Sequence, residues 1–160
     1  MKGVSDSEFG PNGTASRAMI VTILYRLEGE PAFMNDNIFS DVASGSWYEK
    51  AVVWASGKGI VKGYDDGSFQ PDKAITREEL AAILYRYAQM KGEGFVGASM
   101  FLMPFEDLSE ISDWASESVR WCYMHHIILG RTETTFVPKA TATRAEAAAM
   151  MQRFCENLGK

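Results

Sequence analysis

The 160 residues carry 16 basic and 21 acidic side chains, a net charge of −5, which argues against nucleic acid as the main partner. Hydrophobic content of 46% with 12% aromatics suits one packed domain and argues against disorder. No apolar run reaches the roughly 18 residues that a membrane-spanning helix needs.

In chain order, residues 2–12 form a turn segment, and Ser16 is placed to cap a helix over 18–27 with Ile20, Ile23, Leu24 and Leu27 inward. Residues 28–37, with Gly29 and Pro31, read as a linker. Phe39-Ser40-Asp41-Val42 is a short extended lead. Trp47 stands near the start of a second helix that runs through Ala51, Val52, Trp54 and Ala55 and stops at Gly57 and Gly59. Ile60 and Val61 lead to Gly63 and the turn Tyr64-Asp65-Asp66-Gly67. Pro71 ends the extended piece that follows. Thr76 then caps a third helix, and Glu79 completes a capping box. Leu80, Ile83, Leu84 and Tyr87 form its apolar face. A second linker covers 90–104, and its Phe95, Phe101 and Leu102 are expected to lie on the body of the domain. Phe105-Glu106-Asp107-Leu108 opens another lead, Trp114 heads a fourth helix, and Thr143-Arg144-Ala145-Glu146 opens the last.

One pattern recurs three times. Gly3, Phe9, Pro11, Ser16, Arg17 and Arg26 stand opposite Gly63, Phe69, Pro71, Thr76, Arg77 and Arg86, and again opposite Gly130, Phe136, Pro138, Thr143, Arg144 and Arg153. Such a period marks a repeat architecture whose units must bury their apolar faces against one another. The units are 1–30, 38–90 and 104–158, together one compact domain, and the first begins at its turn half. Met1 falls inside a repeat and no secretory signal is visible, so a piece of a longer exported chain is expected. The fold class is all-α: tandem helical hairpins, with Leu24, Leu84 and Met151 buried at equivalent places. The first unit lacks a lead and first helix. An open apolar patch near residues 20–27, or self-association there, is therefore expected.

An arginine directly after a helix N-cap meets the positive end of the helix dipole, at a cost of roughly 0.3–1 kcal/mol. This chain does so at Arg17, Arg77 and Arg144. A surface guanidinium beside free helix N–H groups makes an anion site; the alternative is an arginine paired with a carboxylate of the neighbouring unit. Trp47 and Trp114 could stack a sugar or pack in the core, and Tyr64 lines a groove or is a plain turn residue. Asp65-Asp66-Gly67 lacks the ligand alternation of a calcium loop, and His125 and His126 point to different sides of a helix. No metal, cofactor or catalytic set is expected. Cys122 and Cys155 read as buried free thiols, with one bridge in the third unit as the alternative.

The string from Phe39 to Glu79 resembles the S-layer homology domain family: the lead Phe-x-Asp-Val, the tryptophan, Ala-Val, Gly-Ile-Val-x-Gly, Asp-Gly-Ser-Phe-x-Pro and Thr-Arg-Glu-Glu. The resemblance implies three units about a pseudo-threefold axis. It also implies non-catalytic anchoring on the bacterial cell wall or S-layer, outside the cell. The ligand it implies is secondary cell wall polysaccharide, often bearing a pyruvate ketal, held in grooves between units with the motif arginine as a main contact. By position that arginine is Arg17, Arg77 and Arg144. Trp47, Trp114, Tyr64, Gly63 and Gly130 complete the candidate set. The first unit departs from the motif at Met19, where glutamate is expected, and the third unit's turn is Arg131-Thr132-Glu133-Thr134. Arg77, in the most complete unit, is expected to contribute most to binding. The rival readings are a protein–protein assembly module of a surface layer and part of a wall-active enzyme.

Overall fold

A computed structural model describes residues 7–94 and 102–158. It is all-α, with helices Arg17–Leu27 (α1), Glu49–Gly57 (α2), Arg77–Met90 (α3), Asp113–Met124 (α4) and Arg144–Leu158 (α5) and a short 3₁₀ turn at Leu108–Glu110. Among the described residues the only strand-like pairings are isolated bridges.

The capping chemistry sets the starts of α1, α3 and α5. The Ser16 hydroxyl accepts from Met19 N, and Thr76 and Glu79 form a complete reciprocal box. Thr143 and Glu146 do the same at α5, with bonds of 2.8 and 3.1 Å. With Met19 in the glutamate position, α1 has only half of this arrangement.

The units meet in a closed ring of hydrogen bonds. Ile75 N donates to Ala15 O at 2.9 Å, Ala15 N to Ala142 O at 3.0 Å, and Ala142 N to Ile75 O at 2.9 Å. The three residues hold equivalent sequence positions and are fully buried. Around the ring, each helix start leans on the next unit's turn. Arg17 N and Ala18 N donate to Lys73 O and Pro71 O. Arg77 N and Glu78 N donate to Ala140 O and Pro138 O, and Arg144 N and Ala145 N to Gly13 O and Pro11 O. Helix-start N–H groups have no partner inside their own helix, and here a neighbouring unit supplies the acceptors. The order is cyclic: first on second, second on third, third on first.

Each lead holds its own unit's turn. Asp41 accepts from Phe69 N and Gln70 N, both at 2.7 Å, and Asp107 from Phe136 N at 2.8 Å and Val137 N at 2.7 Å. Gln70 and Val137 have φ of 56° and 57°, and the equivalent residue of the first unit is Gly10 at 61°. A β-branched residue there is strained, and the carboxylate clamp compensates. Gly63 and Gly130 are required for close approach: a Cβ would stand 2.6 Å from the rings of Phe39 and Phe105.

The helices that pair are α1 with α2 and α3 with α4. Tyr25 packs on Trp54 at 5.5 Å between ring centroids, and Tyr85 on Trp121 at 5.3 Å. The first helix of a unit therefore packs on the last helix of the unit before it, rather than forming a hairpin within its own unit. On this pattern no helix among the described residues takes that place on α5. Its Ala148 and Gln152 hold the places of Ala81 and Tyr85, and a cleft lined by Ile23, Leu27, Ala148, Met151, Gln152 and Cys155 stays open. This is why Leu27, expected inward, is 50% exposed. The uncovered surface expected near residues 20–27 thus falls mainly on α5, because α2 already covers α1. Leu24, Leu84 and Met151 are buried as expected.

Two further expectations are corrected. Cys155 is exposed rather than buried and, like the buried Cys122, is a free thiol. In the second linker Leu102 is exposed and Met103 is buried in its place, while Phe95 and Phe101 lie outside the described residues.

Because each lead aspartate clamps two backbone N–H groups, Asp107→Ala and Asp41→Ala should each cost about 3 kcal/mol in urea unfolding. Asp66 sits on the exposed turn and accepts from Ser68 and its own backbone, tying no second segment to the turn. Asp66→Ala should stay within about 0.5 kcal/mol of the parent. Equal losses for all three would show that the clamp is not what holds the turns.

Candidate functional site

The motif arginines do not lie on the surface as expected: Arg17, Arg77 and Arg144 are 6%, 4% and 5% exposed. Each leaves its own helix start, where the dipole disfavours it, and crosses to the turn of the next unit. Arg17 Nε donates to Phe69 O at 2.9 Å, Arg77 Nε to Phe136 O at 2.9 Å and Arg144 Nε to Phe9 O at 3.0 Å. Each guanidinium lies over the ring of that same phenylalanine, 4.8 to 5.1 Å from its centroid. Second donors reach Lys62 O from Arg17 and Leu129 O from Arg77. The neighbouring unit also supplies a carboxylate, Glu79 at 3.8 Å from Arg17 and Glu146 at 3.3 Å from Arg77. Arg144 meets Met19 Sδ at 3.4 Å in the position where the first unit lacks its glutamate.

Grooves open beside two of these arginines. The first, about 140 Å³, is lined by Arg17, Gly63, Tyr64, Glu79, Arg86 and Trp114, among others. The second, about 210 Å³, is lined by Arg77, Gly130, Arg131, Glu146, Met150 and Arg153, among others. Sequence equivalence relates them, so Arg77 belongs to the groove of the third unit's Glu146 rather than to that of its own unit. Trp114 and Trp47 are 55% and 58% exposed, which removes the core-packing reading for both. Trp114 walls the first groove. Trp47 packs edge-on against Tyr48 and lines neither groove. Tyr64 is a groove residue: its hydroxyl donates to Glu79 at 3.0 Å and accepts from Lys73 Nζ at 2.9 Å.

Arg86 and Arg153 were not singled out from the sequence. Both are half-buried and, among the described residues, make no hydrogen bond or ion pair. The available signal was that an arginine recurs nine positions after the motif arginine, at Arg26, Arg86 and Arg153. Burial and the nearby Arg17 charge push the Arg86 pKa down. Burial also pushes Glu79 toward neutrality, but the Thr76 N–H, Tyr64, Lys73 and Arg17 together hold its pKa below the ordinary value of 4.5. The Tyr64 hydrogen bond, aided by Glu79 and opposed by desolvation, holds the Lys73 pKa up. Cations outnumber carboxylates in both grooves: Arg17, Lys62 and Arg86 line the first with Glu79, which Lys73 also reaches, and Arg77, Arg131 and Arg153 line the second with Glu146. Such an excess of fixed donors suits an anion.

Fold and grooves define a repeat-built helical domain whose inter-unit clefts carry net positive charge. A profile described as "S-layer homology domain" matches residues 38–81 and 104–148, more than half of the chain. The chain belongs to the S-layer homology domain family. It is 36% identical over 99% of its length to an amylopullulanase of Thermoanaerobacterium thermosulfurigenes, of which it spans 8%. It is 29% identical over 98% of its length to a cellulosome-anchoring protein of Acetivibrio thermocellus, spanning 35% of that protein. With a surface-layer 125 kDa protein of Lysinibacillus sphaericus the identity is 31% over 99% of the chain and 13% of the relative. The chain therefore spans a minor part of each of these proteins. Domains of this family are, in general, non-catalytic anchoring modules of S-layer proteins and cell-surface enzymes. No helix among the described residues is long and apolar enough to cross a membrane.

The burial of the motif arginines changes what their removal does. Arg77→Ala orphans the carbonyls of Phe136 and Leu129 and should cost about 2–4 kcal/mol of stability, read by denaturant unfolding. An unchanged midpoint would show that the arginine does not staple the units. Glu79 supplies a second test. A carboxyl with a depressed folded-state pKa adds stability above its ordinary pKa of 4.5 and loses it as pH falls through the folded value. Glu79→Gln should therefore flatten the stability profile below about pH 4.5, and a profile parallel to the parent's would refute this role.

Proposed function

We propose that this domain holds a bacterial surface protein on the cell wall by binding an anionic secondary cell wall polysaccharide. In this reading the polysaccharide bears pyruvate ketals, and it binds in grooves between units disposed about a pseudo-threefold axis. The observation that carries it is the pair of half-buried arginines, Arg86 and Arg153, which among the described residues make no hydrogen bond or ion pair and stand beside the buried Arg17 and Arg77. Desolvated cations with unspent donors favour a carboxylate ligand, and each such bond is worth roughly 1.5–3 kcal/mol. The ligand set is Arg17, Arg77, Arg144, Tyr64, Trp114, Gly63 and Gly130, with Arg86 and Arg153 added and Trp47, outside both grooves, left out. The aromatics offer stacking faces, and the glycines let a ligand approach the backbone. The domain works outside the cell and performs no catalysis; in a longer chain any enzymatic activity would reside in another domain.

A second reading, assembly with protein, is favoured by the open cleft on α5. A helix of another copy or of a neighbouring domain would cover it, and this is where self-association is expected.

Arg86→Ala and Trp114→Ala should each weaken binding to purified pyruvylated wall polysaccharide about tenfold or more while leaving the melting temperature unchanged. Neither side chain staples the fold, so these variants separate binding from stability as Arg77→Ala does not. Undiminished sedimentation with walls stripped of polysaccharide would favour the assembly reading instead.

A further inference from the structure

We infer that the two grooves are not equivalent: Arg131 closes the groove of Arg77 to the glycan, and of the two the groove of Arg17 takes an acidic sugar. This rests on the glycan-binding reading above.

Net charge separates the grooves only by Lys62, which lines the first where Leu129 lines the second. The difference is in how the donors are used. In the second groove Arg131 holds the position of Tyr64, and Ala140 that of Lys73. The Arg131 fork grips Glu146 with both arms at 3.0 Å and also reaches Thr141 O at 3.1 Å. Arg77 NH1 donates to the same carboxylate at 3.3 Å. Apart from those of Arg153, the donors that an incoming carboxylate needs are thus engaged by an internal one, and a bidentate pair must be broken before Arg131 can serve a ligand.

In the first groove the position opposite Glu79 is the neutral Tyr64. Glu79 takes the tyrosine hydroxyl at 3.0 Å and Lys73 Nζ at 3.4 Å. Arg17 NH1 stands 3.8 Å away, outside hydrogen-bond reach. Its Nε and NH2 are used on the carbonyls of Phe69 and Lys62, so NH1 retains its donors for a ligand. The walls differ as well. Tyr64 and the exposed indole of Trp114 line the first groove, whereas among the described residues no aromatic side chain lines the second. A sugar presents both an apolar C–H face and, when ketalated by pyruvate, a carboxylate. The first groove meets both demands with groups already in place.

Gly63 and Gly130 line the two grooves at equivalent positions, so their backbone amides report on each groove separately. The test is a titration of the ¹⁵N-labelled chain with a methyl glycoside carrying a 4,6-pyruvate ketal. Saturable shifts are expected at Gly63 and none at Gly130. Transplanting the second groove's pair into the first, as Tyr64→Arg with Lys73→Ala, should weaken the Gly63 response at least tenfold. The reverse exchange, Arg131→Tyr with Ala140→Lys, should make Gly130 respond, more weakly than Gly63 because no indole stands beside it. Equal midpoints at both glycines in the parent chain would overturn the inference while keeping glycan binding. A silent Gly130 in the folded reverse exchange would remove Arg131 as its cause. A parent chain in which neither glycine responds would instead refute the glycan reading itself. The comparison within the parent needs no variant to fold.

Discussion

The structure depends on the closed ring formed by Ala15, Ile75 and Ala142, in which every backbone N–H meets the carbonyl of an equivalent residue in another unit. The ring is fully buried, so losing one member orphans a donor on one neighbour and an acceptor on the other. It sets each helix start against the turn of the next unit. The proline-containing turns then supply acceptors for N–H groups that no helix can satisfy within itself. The arginine at each first helical position follows from the same placement. At its own helix start it would be unfavourable. Directed across the seam, it finds a carbonyl and a phenylalanine face.

The seams are therefore both the structural joints and the places where grooves form. This division has a chemical consequence. Arg17 and Arg77 each commit two guanidinium nitrogens to carbonyls of the neighbouring unit, so removing either perturbs the protein before it reports on a ligand. Arg86 and Arg153, one helix face away, line the same grooves without holding anything together. A site built this way is pre-organised, because its charged walls are fixed by main-chain contacts that exist whether or not an anion is present.

The units are alike in these contacts and unlike in what surrounds them. Pairing of α2 on α1 and of α4 on α3 leaves one face of α5 open among the described residues. The same pairing brings Trp114, from the third unit, to a groove otherwise lined by the first and second. An aromatic wall thus depends on the unit that follows in sequence. Differences at only a few positions, Tyr64 against Arg131 and Lys73 against Ala140, then give equivalent backbones different groove chemistry.

The sequence by itself determined what is local. Ser16, Thr76 and Thr143 mark helix starts because capping joins residues three apart. The apolar spacing of Leu80, Ile83 and Leu84 marks the buried face because it follows the helical period, and the recurring string from Phe39 to Glu79 marks the family. Only the tertiary structure decided which unit each arginine serves, since its partners lie 52 to 135 residues away in the chain. It also decided that the arginines are buried and that Trp47 and Trp114 are exposed. Both outcomes depend on which surface a neighbouring unit covers. The left-handed backbone at Gln70 and Val137 was hidden for the same reason: neither residue favours it, and it persists because Asp41 and Asp107 clamp the turns from about thirty positions upstream. Contacts between distant units do not alter local propensity, so they leave no periodic trace from which burial or partnership can be read.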